Sequence, residues 1–244
     1  VRTIATIEAR MTSSRLPGKV LMSASQKPML LHLVDRLKSV PSLDDIVIAT
    51  TLNQADNAIV DFALEHSINF FRGSENDVMS RVIESAEKFQ AEVIVEITGD
   101  CPIIDPQIIE QTIQMFKVND ADYVSNAHIR GYPIGMDTQV FLTKTLIKSS
   151  LLTNDLLDRE HVTLHIRNNP QIFSHLHLVP PPELYWPDLG LTLDELSDYE
   201  LLKIIIEHFY QDNPLFSCLD VLKFLKSRPD LLNLNNFVIR KGDS

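Results

Sequence analysis

The chain has 244 residues, 44% of them hydrophobic and 23% charged, which is the balance of a folded globular protein and excludes a disordered one. Its 33 acidic against 22 basic side chains give a net charge of -11, and that field disfavours general binding to a nucleic-acid backbone. It leaves room for a small nucleotide held by a few local cations. The two cysteines, Cys101 and Cys218, are too few for a disulfide framework.

The opening residues, 3–9, read as a strand, and their apolar run ends at Glu8, too short for a signal-peptide core. Leu30, Leu33, Val34 and Leu37 fall at helical spacing and predict a helix over 29–38. Residues 46–50 form an apolar run suited to a strand covered on both faces. Ile59, Phe62 and Ala63 mark a second helix, 69–71 a short strand, and Val78, Val82, Ala86 and Phe89 a third helix. Residues 93–98 are again a strand, and Pro106 opens a helix carrying Ile109, Ile113 and Phe116. Repeated β-α-β of this kind predicts a parallel sheet between helical layers.

The second half is less regular. Strands are expected over 123–126, 138–142, 173–179 and 191–193, and a helix over 158–168. Pro180, Pro181 and Pro182 make a stiff break. Ser197-Asp198-Tyr199-Glu200 has the pattern of a capping box that starts a helix through about residue 209, with a helical tail over roughly 208–244. No repeat calls for a second domain, so residues 1–244 are read as one, with 131–182 as an inserted arm. No run of 18 apolar residues suggests a membrane span, and the cytoplasm is the default location.

Three places carry the chemistry. The loop after the first strand holds Arg10, Thr12, Ser13, Ser14, Arg15 and Lys19 within ten positions. Cations and small hydroxyls at the carboxyl end of a parallel strand could surround a polyphosphate, although the spacing is not that of a Walker loop and a solvated basic turn would look alike. Asp100 follows the strand 93–98, and Asp194 follows 191–193. Two such carboxylates could share a magnesium ion, or each could cap the helix that follows it. Cys101 reads as a packing residue. His161 and His165 lie four apart but lack the other ligands of a zinc site, His175 and His177 alternate on a strand, and Trp186 is expected to anchor a core or an interface.

Together these segments carry a resemblance. Glu8-Ala-Arg-Met-Thr-Ser-Ser-Arg-Leu-Pro-Gly-Lys-Val-Leu21 resembles the N-terminal signature of the sugar-acid cytidylyltransferases, the superfamily of the CMP-Kdo and CMP-sialic acid synthetases. The closer likeness is to the spore coat polysaccharide biosynthesis protein F family. Phe71-Arg-Gly-Ser-Glu-Asn-Asp-Val78, Ile97-Thr-Gly-Asp-Cys-Pro-Ile-Ile-Asp105, Asp122-Tyr-Val-Ser-Asn126, Arg159-Glu-His-Val-Thr163 and Leu191-Thr-Leu-Asp194 extend it over nearly the whole chain, as do Phe216-Ser217 and the run from Pro229 to Asn235. The chain departs from that pattern at Glu8, where relatives often have Gln or Pro, at Thr12, where they often have Gly or Ala, and at Leu196, which replaces a common Pro.

The resemblance implies a three-layer Rossmann-like nucleotidyltransferase fold, with the arm making a homodimer contact. It implies transfer of CMP from CTP to a sugar or sugar-acid hydroxyl for surface polysaccharide precursors, with release of pyrophosphate. Arg10, Arg15 and Lys19, with Ser13 and Ser14, would hold the triphosphate. Asp100 and Asp194 would bind magnesium, and Arg72 and Thr98 would border the base and ribose. Arg130, Arg159, His161 and Arg167 are candidates to meet an acceptor carboxylate, although Arg159 and His161 fit a subunit interface as well. The rival readings are a sugar-nucleotide glycosyltransferase, which would usually carry a D-x-D motif where this chain has Gly99-Asp100-Cys101, and a non-catalytic nucleotide-sugar-binding protein.

Overall fold

A computed structural model describes residues 1–240, so the last four positions of the expected helical tail, 241–244, lie outside the described residues. The first half follows the predicted alternation: β1 (Thr3–Glu8), β2 (Ser23–Ala24), β3 (Lys27–Pro28), α1 (Met29–Lys38), β4 (Asp45–Thr51), α2 (Asn57–Glu65), β5 (Asn69–Gly73), α3 (Val78–Lys88), β6 (Val93–Thr98) and α4 (Pro106–Val118). The second half adds β7 (Tyr123–Ser125), β8 (Gln139–Leu142), α5 (Thr143–Leu152), α6 (Leu156–Glu160), α7 (Leu164–Asn168), β9 (His175–His177), α8 (Leu196–Phe209) and α9 (Cys218–Ser227), and then a 3-10 turn over Pro229–Leu234.

Seven strands form one sheet in the order β5-β4-β1-β6-β8-β7-β9. β8 runs antiparallel to both of its neighbours, and every other pairing in the sheet is parallel. The sheet is therefore mostly parallel, as expected. Its two faces are apolar for different partners. Ala5, Ile7, Ile48, Val95 and Ile97 pack under α1, α2 and α4, while Ile4, Val47, Ile94, Tyr123 and Phe141 pack under α3, α5 and α7. Each of the larger aliphatic and phenylalanine side chains among them contributes about 1.5–3 kcal/mol on burial. A third cluster joins α8 and α9 to Ile103, Tyr132, Met136, Leu191 and Leu193, and it backs the loops described below. Arg36 on α1 is buried in the seam to the C-terminal helices. Its guanidinium donates to the Phe216 carbonyl at 2.9 Å and lies over the Phe216 ring, and burial lowers its pKa to about 10 against the pull of Asp105.

Several expectations are corrected. The stretch 131–182 supplies β8 and β9 to the sheet and α5–α7 to one of its layers, because Val140 and Phe141 are buried between β6 and β7. α5 has no counterpart among the predicted elements. The helix expected over 158–168 is two, α6 and α7, interrupted where Val162 takes a left-handed φ of 45°. Residues 191–193 are an extended loop and not a strand, held beside a single bridge between Ile134 and Gly190. α8 starts two residues earlier than expected, and its capping box is formed by Glu195 and Asp198, not by Ser197. No helix among the described residues is long and apolar enough to cross a membrane.

Candidate active site

β1 and β6 end side by side, with Glu8 opposite Thr98 in register, so the loops that follow them emerge at the same sheet edge. The loop after β1 closes on itself where the Gly18 N–H donates to the Met11 carbonyl at 2.9 Å, and Gly18 takes a φ of 73° that favours glycine. The buried Asp56 anchors this loop by accepting the Met11 N–H at 2.6 Å and the Thr51 hydroxyl. The loop after β6 crosses β1 closely. A Cβ at Gly99 would stand 2.9 Å from the Glu8 carbonyl and 3.0 Å from the Ala9 Cβ.

The Asp194 loop is held against both. The Leu193 N–H donates to the Asp100 carbonyl at 2.8 Å, and the Leu191 N–H to that of Ile134 at 2.7 Å. Gly135, at a φ of 105°, lets the neighbouring backbone approach Leu191, because a Cβ there would stand 2.8 Å from the Leu191 carbonyl. Neither Asp100 nor Asp194 caps a helix. Asp105 caps α4 and Glu195 caps α8, which leaves both candidate carboxylates available for the site.

Four of the predicted residues come together. Lys19 Nζ lies 3.1 Å from Asp100 Oδ2 and 3.3 Å from Asp194 Oδ1, and Arg15 Nη2 donates to the same Asp194 oxygen at 2.6 Å. Burial by itself would depress the Lys19 pKa, but the two carboxylates outweigh it and raise it. Burial by itself would raise the Asp100 pKa, but the Lys19 charge and hydrogen bonds from Thr98 and Lys19 bring it below the ordinary value. Thr98 is exposed at the strand end, with its hydroxyl 3.3 Å from Cys101 Sγ. Cys101 itself is buried, and burial followed by the Asp100 charge pushes its thiol up, as suits a packing residue.

The other candidates stand apart from this cluster. Arg10 faces Glu75 at 3.4 Å, and Glu75 also accepts from Thr12 and Asn53. Ser13 is half-buried and Ser14 exposed in the loop. Arg72 sits on β5, two strands from β1, where it clamps the loop after β4 by donating to the carbonyls of Thr51 and Asn53 and to the Asn57 side chain. Arg159 is tied to α3 and α5 through Asp77, Ser80 and the Ser150 carbonyl. His165 bonds Ser149 and packs on Phe173, while His161 is exposed, so they form no zinc pair. Trp186 is half-buried against the third cluster with Lys226 over its ring.

A sequence model of the cytidylyltransferase family matches residues 4–225, a span that takes in all three of these loops. The chain belongs to the cytidylyltransferase family. This cytidylyltransferase is 33% identical over 230 residues to the spore coat polysaccharide biosynthesis protein SpsF of Bacillus subtilis, covering 92% of this chain and 94% of that one. It is 34% identical over 119 residues to the 3-deoxy-manno-octulosonate cytidylyltransferase of Actinobacillus succinogenes, 47% of this chain and 46% of that one. Among solved structures, a cytidylyltransferase from Leptospira borgpetersenii serovar Hardjo-bovis superposes with a TM-score of 0.91 at 29% identity, over 98% of this chain and 99% of that one.

Three further carboxylates, none of them singled out as a site candidate from the sequence, hold these loops in place. Asp56 and Glu75 hold the loop after β1 from the segments that follow β4 and β5, and Asp198 holds the Asp194 backbone by accepting its N–H at 3.1 Å. Asp198 stands in the expected capping box, which was its only signal in the sequence. Asp56 lies outside every motif and reaches Met11 from 45 positions away, while Glu75 stands in the segment 71–78 that carries the resemblance, where nothing marks it as the partner of Thr12, 63 positions away.

Magnesium binds oxygen ligands and is commonly held by one or two carboxylates together with substrate phosphates. Asp100 and Asp194 fit that donor set, and the Lys19 ammonium already lies between them as a cation. Among the described residues no three His, Cys, Asp or Glu side chains group together, so water and substrate phosphate oxygens would fill the rest of the shell.

Proposed function

We propose that this cytidylyltransferase joins CMP from CTP to a hydroxyl of a sugar acid and releases pyrophosphate, in the supply of a surface polysaccharide precursor. The observation that carries this reading is the Lys19 ammonium shared by Asp100 and Asp194, with Arg15 on the same Asp194 oxygen. Two cations and two carboxylates at one strand edge suit a triphosphate and its counter-cation. The similarity to SpsF and to a 3-deoxy-manno-octulosonate cytidylyltransferase supports the acceptor class.

In the reaction, the acceptor oxygen forms a bond to the α-phosphorus and the bond to the pyrophosphate oxygen breaks. The acceptor hydroxyl gives up its proton to solvent water. Magnesium held by Asp100 and Asp194 would supply charge neutralisation and acidify that hydroxyl. The chain's own part is positioning and electrostatics. When the triphosphate enters, Arg15 and Lys19 exchange their carboxylate partners for phosphate oxygens, and their charge then stabilises the leaving pyrophosphate. Met11, anchored by Asp56, and Gly18 keep the loop open to the phosphates. The test is pyrophosphate release from CTP, UTP, ATP and GTP against a panel of sugar acids and neutral sugars, with the product's mass measured. A CMP-sugar acid made only from CTP is the expected product. Transfer of a different nucleotide, or no pyrophosphate from any pair, overturns the reading.

The working unit in this reading is a homodimer. Leu151, Leu152, Leu156 and Leu157 at the corner between α5 and α6 are all exposed, Leu151 at 81% and Leu156 at 82%, and a second copy of this corner would cover them. Light scattering of the wild type and of Leu156→Asp checks this, with a dimer expected for the first and a monomer for the second. Both cysteines are free and buried, which fits the cytoplasm as the place of action.

A further inference from the structure

The family match ends at residue 225, yet the chain beyond it returns to the active site. Arg240 is threaded into a slot behind the Asp194 loop. Its Nη2 donates to Asp198 Oδ1 at 2.7 Å, its Nε to Thr192 Oγ1 at 3.2 Å, and its Nη1 to the Val238 carbonyl at 3.2 Å. Gly190 makes the slot, since a Cβ there would lie 1.9 Å from the Arg240 Cζ. Asp198 is fully buried, and its carboxylate also accepts from Asn235 at 2.8 Å.

Both partners of Arg240 lead to Asp194. Asp198 Oδ2 accepts the Asp194 N–H at 3.1 Å and that of Glu195 at 2.9 Å. The Thr192 hydroxyl lies 3.1 Å from Asp194 Oδ2. A guanidinium can only donate, so Arg240 occupies a lone pair of that hydroxyl and directs its proton to the carboxylate. The same segment reaches the opposite side of Asp194, because Arg15 donates through Nη1 to the Ile239 carbonyl at 2.9 Å while its Nη2 holds Asp194 Oδ1.

We infer that Arg240 is a positioning residue for the Asp194 carboxylate, and that residues 235–240 form a strap that completes the active site. The inference rests on the cytidylyl-transfer reading. Arg240 fixes the loop backbone through Asp198 and one carboxylate oxygen through Thr192, leaving the other oxygen to Arg15 and Lys19. Outer partners of this kind, when removed, typically cost 10–100-fold in metal affinity or activity.

The experiment is calorimetric titration of CTP at a series of magnesium concentrations, with kcat and KM measured alongside, for the wild type, Arg240→Ala, Arg240→Lys and Thr192→Val. Arg240→Lys keeps the charge against Asp198 and loses the planar fork, and Thr192→Val removes the hydroxyl while keeping the buried ion pair. Both are expected to fold, as checked by a cooperative melt. In each variant the magnesium concentration at half-maximal CTP binding is expected to rise about 10–100-fold, with kcat lowered and the acceptor KM unchanged. Folded Arg240→Lys and Thr192→Val proteins with wild-type magnesium dependence overturn the inference, even if Arg240→Ala fails to fold. A wild type that binds CTP without any magnesium dependence overturns the assignment of Asp194 as a ligand, and this inference with it.

Discussion

The backbone N–H of Leu193 donates to the carbonyl of Asp100 at 2.8 Å, and this bond locks together two loops whose carboxylates lie 94 positions apart in the chain. The separation of Asp100 from Asp194 is thereby set by main chain. Their side chains can exchange Lys19 for another cation without moving the loops. That arrangement makes the two carboxylates separately testable.

Asp100→Asn and Asp194→Asn are each expected to lower turnover by at least about 100-fold while leaving the melting transition cooperative, since the backbone bonds of both loops remain. Pyrophosphate release and a thermal melt measured on the same preparation check this. Full activity in either variant would sink the assignment of that carboxylate.

Lys19→Met removes the cation between two carboxylates. The Asp100 pKa lies below its ordinary 3.8, so its contribution to stability is present above that pH and is lost as pH falls through the folded value. The Lys19 pKa lies above its ordinary 10.5, so its contribution is present below 10.5 and is lost as pH rises through the folded value. The stability gap between wild type and variant is therefore widest between about pH 4 and 10.5, on the order of 3–5 kcal/mol, and narrows outside that window. Denaturant melts across pH 3–9 measure the acid side. A gap that stays constant down to pH 3 would contradict this account.

Glu96 is buried on β6 beneath α3 and α7, and burial pushes its pKa up to about 8 against the pull of Arg167. The native state then holds a proton that the unfolded chain has lost, so this group lowers stability as pH rises from about 4.5 to 8. Glu8, close by, is raised as well, by burial and then by Glu96, and neither of its carboxylate oxygens has a hydrogen-bond partner. Glu96→Gln keeps an amide for Gln139 and is expected to weaken the pH dependence over that range and to be the more stable protein at pH 8. Melts of the two proteins at pH 5 and pH 8 decide it.

Asp56→Ala frees the Met11 N–H and the Thr51 hydroxyl in one step. It is expected to cost about 1–3 kcal/mol of stability and to raise the KM for CTP more than it lowers kcat, because the loop and not the reacting atoms is disturbed. Steady-state kinetics with varied CTP separate the two effects, and an unchanged KM would show that the loop keeps its shape without this anchor.

Gly99→Ala places a methyl group against the Glu8 carbonyl and the Ala9 Cβ, and neither retreats easily, because Glu8 is paired with Thr98 in the β1–β6 ladder and the Ala9 N–H donates to the Ala49 carbonyl. A loss of both stability and activity is expected, larger than that of an alanine at Gly18, where the cost is backbone conformation alone and is on the order of 1 kcal/mol. Thermal melts of the two variants rank them.

The α/β alternation of the first half and the four residues at the centre of the site were legible in the sequence alone. Strands such as 46–50 and helices such as 29–38 announce themselves through local periodicity, Arg15, Lys19 and Asp100 sit in short motifs that follow a strand, and Asp194 closes the Leu191-Thr-Leu-Asp194 motif, which lies in a loop. What only the tertiary structure decided is nonlocal. β8 is antiparallel and central because β6 and β7 bury it on both sides, and no pattern within its four residues states that. Val162 breaks a helix that periodicity runs together. Arg10 and Arg72 look like Arg15 in sequence, but Glu75 and the loop after β4 claim them. Arg240 lies 46 residues past Asp194 and gains its place only because Gly190, Thr192 and Asp198 form a slot for it. Periodicity and motif spacing report interactions between near neighbours in the chain. The partners of a buried charge are chosen by packing and desolvation across the fold, and those have no local sequence signature.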